Sequence, residues 1–209
     1  MSEPEGSKVG RSGSTSFLEP SEVAELGLGQ VGSHVLISRY AVLHNPGNIF
    51  VGHHVRIDDF CLITAGDDQP VTIGDWVHLA AFSALFGRGG ISVDDFAGLS
   101  SRVSVYSTND DYSGEHMTNP TIPDEYTGVV TAPVRIGRHV VVGASSVILP
   151  GVTIPEGCAV GALSLVRETL EPWGIYAGAP VRRINERSRR LLDLERELLG
   201  EARQRGELI

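Results

Sequence analysis

An aliphatic residue recurs at every sixth position in the C-terminal part of the chain. These positions are Ile136, Val142, Ile148, Ile154, Val160 and Val166. Four positions after each of the first five lies a small or β-branched residue, namely Val140, Ser146, Val152, Cys158 or Ser164. A period of six fits neither the 3.6-residue period of a helix nor the two-residue alternation of an amphipathic strand. It is typical of an all-β solenoid, the parallel β-helix, in which short strands wind into stacked coils and the aliphatic side chains point inward.

The same period extends upstream with short interruptions. Sets of three aliphatic residues, spaced six positions apart, begin at Val31, Val51, Ile73 and Val93. In a left-handed parallel β-helix, three hexapeptides of about eighteen residues make one triangular coil. The steps between the four starts are 20, 22 and 20 residues, so each coil carries a small insertion. Gly, Pro, Asn and Asp are concentrated in the insertions, which predicts turns at the corners of the prism.

The regular period stops after Val105 and resumes at Ile136. The residues between, 108–133, are too many for a corner turn and contain Tyr, His, Asp and Pro, which favours an ordered loop with a function. This interruption and the composition of the two ends divide the chain into four segments. The first, 1–15, is a Gly-, Ser- and charge-rich tail that we expect to be disordered, and the second, 16–30, contains a short helix from Glu19 to Leu26. The third, 31–178, is the β-helix domain with the extruded loop 108–133. The fourth, 179–209, contains an amphipathic helix from Glu186 to about Arg205.

Charge is distributed unevenly along the chain. The formal net charge is −9, which excludes the basic footprint of a nucleic-acid-binding protein. Residues 135–209 nevertheless hold 11 basic and 9 acidic residues, against 6 basic and 17 acidic residues in 1–134. We therefore expect an anionic ligand to bind near the C-terminal part. The sequence shows no signal peptide and no apolar run that would span a bilayer, so we expect a cytoplasmic protein with no membrane partner.

The two cysteines, Cys61 and Cys158, both occupy the small inward position of a hexapeptide. This position predicts buried, reduced thiols. A disulfide or a shared metal ion is the alternative.

With these motifs in view, the chain resembles the left-handed β-helix acyltransferases, which include galactoside and maltose acetyltransferases and the O- and N-acetyltransferases of surface-sugar pathways. The resemblance covers roughly Val31 to Ile184. Two segments carry it, Gly143-Ala-Ser-Ser-Val-Ile-Leu-Pro-Gly-Val-Thr-Ile154 and Tyr176-Ala-Gly-Ala-Pro-Val-Arg-Arg-Ile184. The Asp110-Asp-Tyr-Ser-Gly-Glu115 segment is similar to the surface-polysaccharide branch of the family.

The resemblance implies an acetyl-CoA-dependent enzyme that acetylates an amino or hydroxyl group of a sugar, by direct transfer in a ternary complex. The acceptor would be a nucleotide-linked sugar or a polysaccharide precursor. The resemblance also implies a homotrimer in which each active site lies between two subunits. A non-catalytic trimeric scaffold remains the alternative.

Two groups of residues are candidates for binding coenzyme A. Small side chains on consecutive coils leave room for the pantetheine arm, although corner geometry alone also accounts for them: Ala144, Ser145, Gly161 and Ala162. Arginines stand where the family places basic residues, and a guanidinium suits phosphate oxygens, with ordinary surface exposure as the alternative: Arg167, Arg182 and Arg183.

Transfer to a hydroxyl group requires a general base, and four residues are candidates. His78 precedes Leu79 and is expected at a coil corner facing outward, where several similar acyltransferases carry a catalytic histidine. An ordinary surface or subunit-contact histidine is the alternative. His116 lies in the long loop, as do Asp110 and Asp111, which are catalytic carboxylates or turn-forming residues. The galactoside branch has its catalytic histidine just after the coil that ends at Val105, where this chain has carboxylates instead. Candidate sugar contacts are Asn109, Tyr112 and Glu115.

Of the remaining histidines, His44 and His53 are expected at the surface, and the other three are expected to be structural. His34, His54 and His139 occupy the same place in their hexapeptides as Trp76 and Phe96, which predicts a column of stacked rings. A zinc enzyme of this fold needs two histidines five residues apart, and this sequence has no such pair. We therefore expect no metal cofactor.

Overall fold

The computed structural model describes residues 16–206 and confirms the left-handed β-helix. The predicted disordered tail, 1–15, lies outside the described residues. Three parallel sheets form the sides of a triangular prism, and successive strands of one sheet come from successive coils. The inward aliphatic positions form one continuous core, in which Ile57, Val105 and Ile148 are fully buried.

The strands of each sheet follow one another along the prism. The first sheet contains Gln30–Val31, Ile49–Val51, Val71–Ile73, Ile91–Val93, Val134–Ile136 and Thr153–Ile154. The second contains Leu36–Ile37, Arg56–Ile57, His78–Leu79, Gly98–Leu99, Val141–Val142, Ala159–Val160, Gly174–Gly178 and Val181–Glu186. The third contains Val42–His44, Leu62–Ala65, Ala84–Gly87, Ser104–Tyr106, Val147–Ile148 and Leu165–Val166. Thr108–Asn109 and Val130–Thr131 pair separately and antiparallel.

The predicted hexapeptide register holds between coils on either side of the long loop. Val93 pairs with Ile73 of the preceding coil and with Ile136 of the following one, although 43 residues separate Val93 from Ile136 in sequence. The loop therefore leaves and rejoins the prism without shifting its register. Cys61 and Cys158 are buried and unbonded to each other, as predicted. Burial raises the pKa of the Cys61 thiol to about 11.

The predicted column of rings forms along one corner of the prism. His54 stacks on His34 at 4.5 Å and on Trp76 at 3.9 Å between ring centroids. Phe96 continues the column to His139, with centroids 5.0 Å apart. These histidines therefore pack as structural side chains within the described part of the chain.

Helices lie at both ends of the β-helix. The first, α1 (Pro20–Glu25), begins with a capping box between Glu19 and Glu22. The second, α2, spans Leu191–Arg205. We expected it to begin at Glu186, and this was wrong, because residues up to Glu186 pair as an antiparallel strand with Gly174–Gly178. Neither helix between residues 16 and 206 has the length and apolar character needed to cross a bilayer.

A buried ionic contact attaches α2 to the prism. Glu195 is 9% exposed, and one of its carboxylate oxygens accepts a hydrogen bond from His139 Nε2 at 2.7 Å. Arg138 pairs with the other oxygen. Because a buried carboxylate is stable only when its oxygens are bonded, these two partners determine where the helix docks.

Candidate active site

The long loop begins and ends at a two-stranded ladder. Thr108 pairs with Thr131 and Asn109 with Val130, so the chain between them, 110–129, projects from one corner of the fourth coil. A short 3₁₀ helix, Asp124–Tyr126, lies within it. The Met117 N–H donates to the Tyr126 carbonyl at 2.9 Å, which ties the two halves of the loop together.

The loop and the third sheet enclose a cleft of about 530 Å³, which we call the loop cleft. Its floor is the outer face of the third sheet, where Phe86 and Tyr106 stack with their ring centroids 4.7 Å apart and their planes at 9°. The lining residues are Phe86, Arg88, Tyr106, Thr108, Asn109, Asp110, Tyr112, Asn119, Pro120, Ile122, Asp124, Thr127, Val129, Val147 and Leu149. This volume is typical of a small-molecule site, and both apolar and polar side chains line the cleft.

The structure separates two neighbouring carboxylates that the sequence could not distinguish. Asp111 accepts hydrogen bonds from the Ser113 N–H at 2.9 Å, the Ser113 hydroxyl at 3.0 Å and the His116 N–H at 3.0 Å. The bonds from Ser113, with that from His116, lower the pKa of Asp111 to about 2. Asp111 is thus the acceptor that closes a turn of the loop.

Asp110 has the opposite character. It lines the loop cleft, is half-buried, and receives no hydrogen bond or ion pair from any other residue between 16 and 206. A half-buried carboxylate without a partner is costly in the free protein, which is typical of a group that awaits a ligand. Asn109 and Tyr112 line the same cleft, whereas Glu115 and His116 do not. The ring of His116 faces Asp111, with Nδ1 3.6 Å from Oδ2.

His78 lies on a different side of the prism from the loop cleft. It occupies a strand of the second sheet, His78–Leu79, and not a corner as its sequence context suggested. Its Nε2–H donates to Asp58 Oδ2 at 2.9 Å. Burial raises the pKa of Asp58, but hydrogen bonds from Arg56 and His78 outweigh it and hold the pKa below its ordinary value. A histidine oriented by a carboxylate has the geometry of a general base, so the residue remains a candidate.

The small residues proposed for coenzyme A form a narrow corner at the C-terminal end of the prism. The Leu163 N–H donates to the Ala144 carbonyl at 2.9 Å, so this corner stacks directly on the next. A Cβ on Gly161 would lie 3.1 Å from the Ala177 Cβ, which shows how closely the coils approach there. Ser145 adopts a left-handed φ of 60° at the turn. Ala162 is exposed, so the corner presents a shallow surface to a ligand.

The three candidate arginines are all exposed near this end of the prism. Arg183 pairs with Glu186 at 2.6 Å, and Arg167 pairs loosely with Glu168 at 3.5 Å. Arg182 has no acidic partner among residues 16–206. Arg182 is therefore the cation of this group most available to a phosphate.

Sequence reasoning missed the five residues of the loop cleft that lie outside the loop: Phe86, Arg88, Tyr106, Val147 and Leu149. The signal was present, since Phe86 and Tyr106 each follow an inward aliphatic residue and must point outward from the prism. Each also directly precedes a corner insertion. Two outward aromatic side chains at the same place in consecutive coils predict a stacked pair, and the following insertion covers it.

No protein-family model matches the sequence. The dTDP-4-amino-4,6-dideoxy-D-glucose acyltransferase of Escherichia coli is 44% identical over 179 residues, which cover 86% of this chain and 93% of that protein. The chain belongs to the hexapeptide-repeat sugar acyltransferases. The putative lipopolysaccharide biosynthesis O-acetyl transferase WbbJ of Escherichia coli K12 is 29% identical over 154 residues, 69% of this acyltransferase and 74% of WbbJ.

A solved structure with a similar fold contains ligands. AntD, an N-acyltransferase from Bacillus cereus, in complex with dTDP and 3-hydroxybutyryl-CoA, superposes on this acyltransferase with a TM-score of 0.87 and 46% identity, covering 91% of this chain and 100% of AntD. A variant of AntD has been crystallised with dTDP-4-amino-4,6-dideoxyglucose and coenzyme A. The expected family and enzyme class are thereby confirmed, as is the use of a coenzyme A thioester as the acyl donor. The alternative of a non-catalytic scaffold is not supported.

Replacement of Asp111 by Asn is expected to loosen the loop without unfolding the prism. An amide retains one acceptor oxygen, but its NH₂ group cannot accept hydrogen bonds from the Ser113 hydroxyl and the His116 N–H. We expect Asp111→Asn to speed chymotryptic cleavage after Tyr112 and Tyr126, measured by mass spectrometry of the fragments. Glu125→Gln is the matched control, because Glu125 is exposed in the same loop and makes no side-chain bond to the described residues.

The sign of the pH dependence follows from the lowered pKa of Asp111. Its contribution to loop order is complete above the ordinary carboxyl pKa of about 4 and is lost as the pH falls through about 2. Equal cleavage rates in Asp111→Asn and the wild type at neutral pH would contradict the structural role of Asp111.

Proposed function

We propose that this enzyme acylates the amino group of a nucleotide-linked amino sugar, and that the acceptor binds in the loop cleft. The observation that carries the proposal is the unpartnered carboxylate of Asp110 in that cleft. An amino sugar is protonated near neutral pH, so an isolated carboxylate suits it better than it suits a hydroxyl group. The names of two relatives support the same class, since one acts on dTDP-4-amino-4,6-dideoxy-D-glucose and AntD is an N-acyltransferase.

The reaction is a direct displacement at the thioester within a ternary complex. The sugar ammonium gives a proton to Asp110 or through it to solvent, and the free amine attacks the thioester carbonyl carbon. A C–N bond forms, the C–S bond breaks, and the sulfur of coenzyme A leaves as a thiol after taking up the second amine proton. The buried thiols, Cys61 and Cys158, offer no route through an acyl-enzyme.

The donor would lie along the C-terminal coils. The corner of small residues, Ala144, Ser145, Gly161 and Ala162, accommodates the pantetheine arm, because only small side chains leave backbone groups accessible there. Arg182, without an acidic partner among the described residues, would bind a phosphate of the nucleotide end. Arg167 and Arg183 would assist by exchanging their exposed glutamate partners for phosphate oxygens.

We further infer a homotrimer with active sites between subunits. A ridge of exposed rings runs along one corner, where Tyr40, Phe60 and Phe82 are 54%, 53% and 49% exposed. Apolar surface of this kind favours association. In such an assembly His78, on another side of the prism, would approach the cleft of a neighbouring copy. Analytical ultracentrifugation that finds a monomer at assay concentrations would contradict this arrangement.

The choice of acceptor tests the proposal directly. Thiol release from acetyl-CoA is measured with dTDP-4-amino-4,6-dideoxyglucose and with the matched nucleotide sugar that carries a hydroxyl group in place of the amine. We expect release with the amino sugar alone. Release with the hydroxyl compound at a comparable rate would establish O-acylation and contradict the proposal.

Asp110→Asn is expected to lower kcat by about 10²- to 10⁴-fold, because the amide has the same shape but cannot take up a proton. The KM for acetyl-CoA should change little. Glu125→Gln removes one charge from the same loop outside the cleft and is expected to leave kcat unchanged. If His78→Gln loses turnover while Asp110→Asn retains it, the base is the His78–Asp58 pair and the assignment to Asp110 is wrong.

A further inference from the structure

We propose that Arg88 binds the diphosphate of the acceptor and thereby orients the sugar nucleotide in the loop cleft. The proposal rests on the proposed function, since it requires an acceptor that carries a nucleoside diphosphate. It adds a specificity-determining residue on the opposite side of the reaction from the donor-binding arginines.

Arg88 is the one basic residue among those that line the loop cleft. Its side chain is exposed, and within residues 16–206 no carboxylate lies within ion-pair distance of it. An arginine beside a concave surface, with none of its N–H groups bonded to protein, presents a free fork of donors. Such a fork fits the two terminal oxygens of a phosphate group.

Arg88 lies in an acidic part of the chain but is not paired with a carboxylate. Residues 1–134 carry 6 basic and 17 acidic residues, so their field opposes the binding of an anion. Arg39 and Arg56, in the same part of the chain, are paired with Glu22 and Asp58. Arg88 has no such partner although Asp110 and Asp124 line the same cleft. Arg102 also has no carboxylate partner, but its guanidinium lies over the Phe82 ring, outside the cleft. Arg88 is thus the unpaired cation that is available to an anion entering the cleft.

The backbone around Arg88 is held on two sides. Ser107 is fully buried, and its hydroxyl donates to the Phe86 carbonyl at 2.8 Å while accepting the Gly89 N–H at 2.8 Å. On the other side, a Cβ added to Gly66 would lie 2.3 Å from the Arg88 carbonyl oxygen, so the preceding coil lies directly against this corner. The corner is therefore rigid, and the side chain starts from a fixed position.

The same serine links Arg88 to the base of the loop. The Ala132 N–H donates to the Ser107 carbonyl at 3.0 Å, next to the strand that closes the loop. Arg88 and Asp110 thus project from two consecutive coils that share one bonded framework. An arginine and a carboxylate, neither of them paired with another described residue, therefore line the same cleft.

An amino-sugar nucleotide carries the complementary pair of charges. Its diphosphate is an anion attached to one end of the sugar, and its ammonium group is a cation on the ring. The stacked rings of Phe86 and Tyr106 provide an apolar floor for the sugar between those ends. With the diphosphate on Arg88, the amine is directed toward Asp110. A neutral sugar or a free amino sugar lacks the first of these contacts.

The test compares Arg88→Ala, Arg88→Lys and Arg196→Ala in the full-length enzyme. Arg196 is an exposed arginine on α2 that pairs with Asp193, so its loss changes net charge equally without touching the cleft. We expect Arg88→Ala to raise the KM for dTDP-4-amino-4,6-dideoxyglucose by about 10- to 100-fold, with kcat and the KM for acetyl-CoA within about twofold of wild type. Arg88→Lys should fall between, since it keeps a charge and loses the fork. Arg196→Ala should match the wild type.

Calorimetric measurement of the Kd for dTDP and for thymidine separates the contribution of the diphosphate from that of the nucleoside. We expect Arg88→Ala to weaken dTDP binding by a factor similar to its KM effect and to leave thymidine binding unchanged. Wild-type affinity for dTDP in Arg88→Ala would overturn the role of Arg88 even if the wild type acylates the amino sugar normally. Failure of the wild type to acylate any amino-sugar nucleotide would instead contradict the proposed function. An equal loss of acetyl-CoA binding in Arg88→Ala would show a structural effect and also overturn the assignment.

Discussion

Unbroken parallel register between coils is the constraint on which the rest of the structure depends. The parallel-strand hydrogen bonds join one coil to the next, so Ile73 pairs with Val51 on one side and with Val93 on the other. One extra residue within a strand would turn every following side chain to the opposite face and empty the core. Insertions are therefore tolerated only at corners. The segment 110–129 leaves the prism at such a corner, and the loop cleft exists because the coils beneath it stay in register.

The corners of the prism require strained backbone conformations, and ring stacking offsets part of that free-energy cost. His54, Trp76 and His139 have φ values of 55°, 58° and 58°, in the left-handed region that costs a non-glycine residue about 1–2 kcal/mol. His54 stacks on Trp76 and His139 stacks on Phe96, and such contacts return about 0.5–1.5 kcal/mol each beyond their buried area. In the last coil Gly157 takes this corner, because the Trp173 ring occupies the space of its side chain. His139 then bonds Glu195, so the column also positions α2.

The hexapeptide pattern was sufficient to predict the strands, the inward residues and the stacked rings, because a period of six with fixed corners leaves a single way to bury the aliphatic positions. The pattern could not predict how two adjacent residues of the same type differ in their hydrogen bonding. Asp110 and Asp111 are adjacent carboxylates, and only the folded turn shows that Asp111 is bonded and Asp110 is not. The start of α2 was misplaced because residues up to Glu186 pair as a strand. Arg88 belongs to no recognisable sequence motif, and only the folded structure shows that it lines the loop cleft.

The charged side chains of the loop cleft, Asp110 and Arg88, indicate what kind of ligand the cleft binds. The half-buried carboxylate of Asp110 is less stable without a partner than with one, and selection for stability alone would pair or replace it. Asp110 and Arg88 lie on consecutive coils and are not paired with each other, and the backbone at Gly89, next to Arg88, is held by Ser107. An acceptor that carries both a cation and an anion would pair with both groups at once. Binding energy from the diphosphate, which takes no part in the reaction, then raises the affinity of the cleft for the acceptor and so lowers KM without changing kcat.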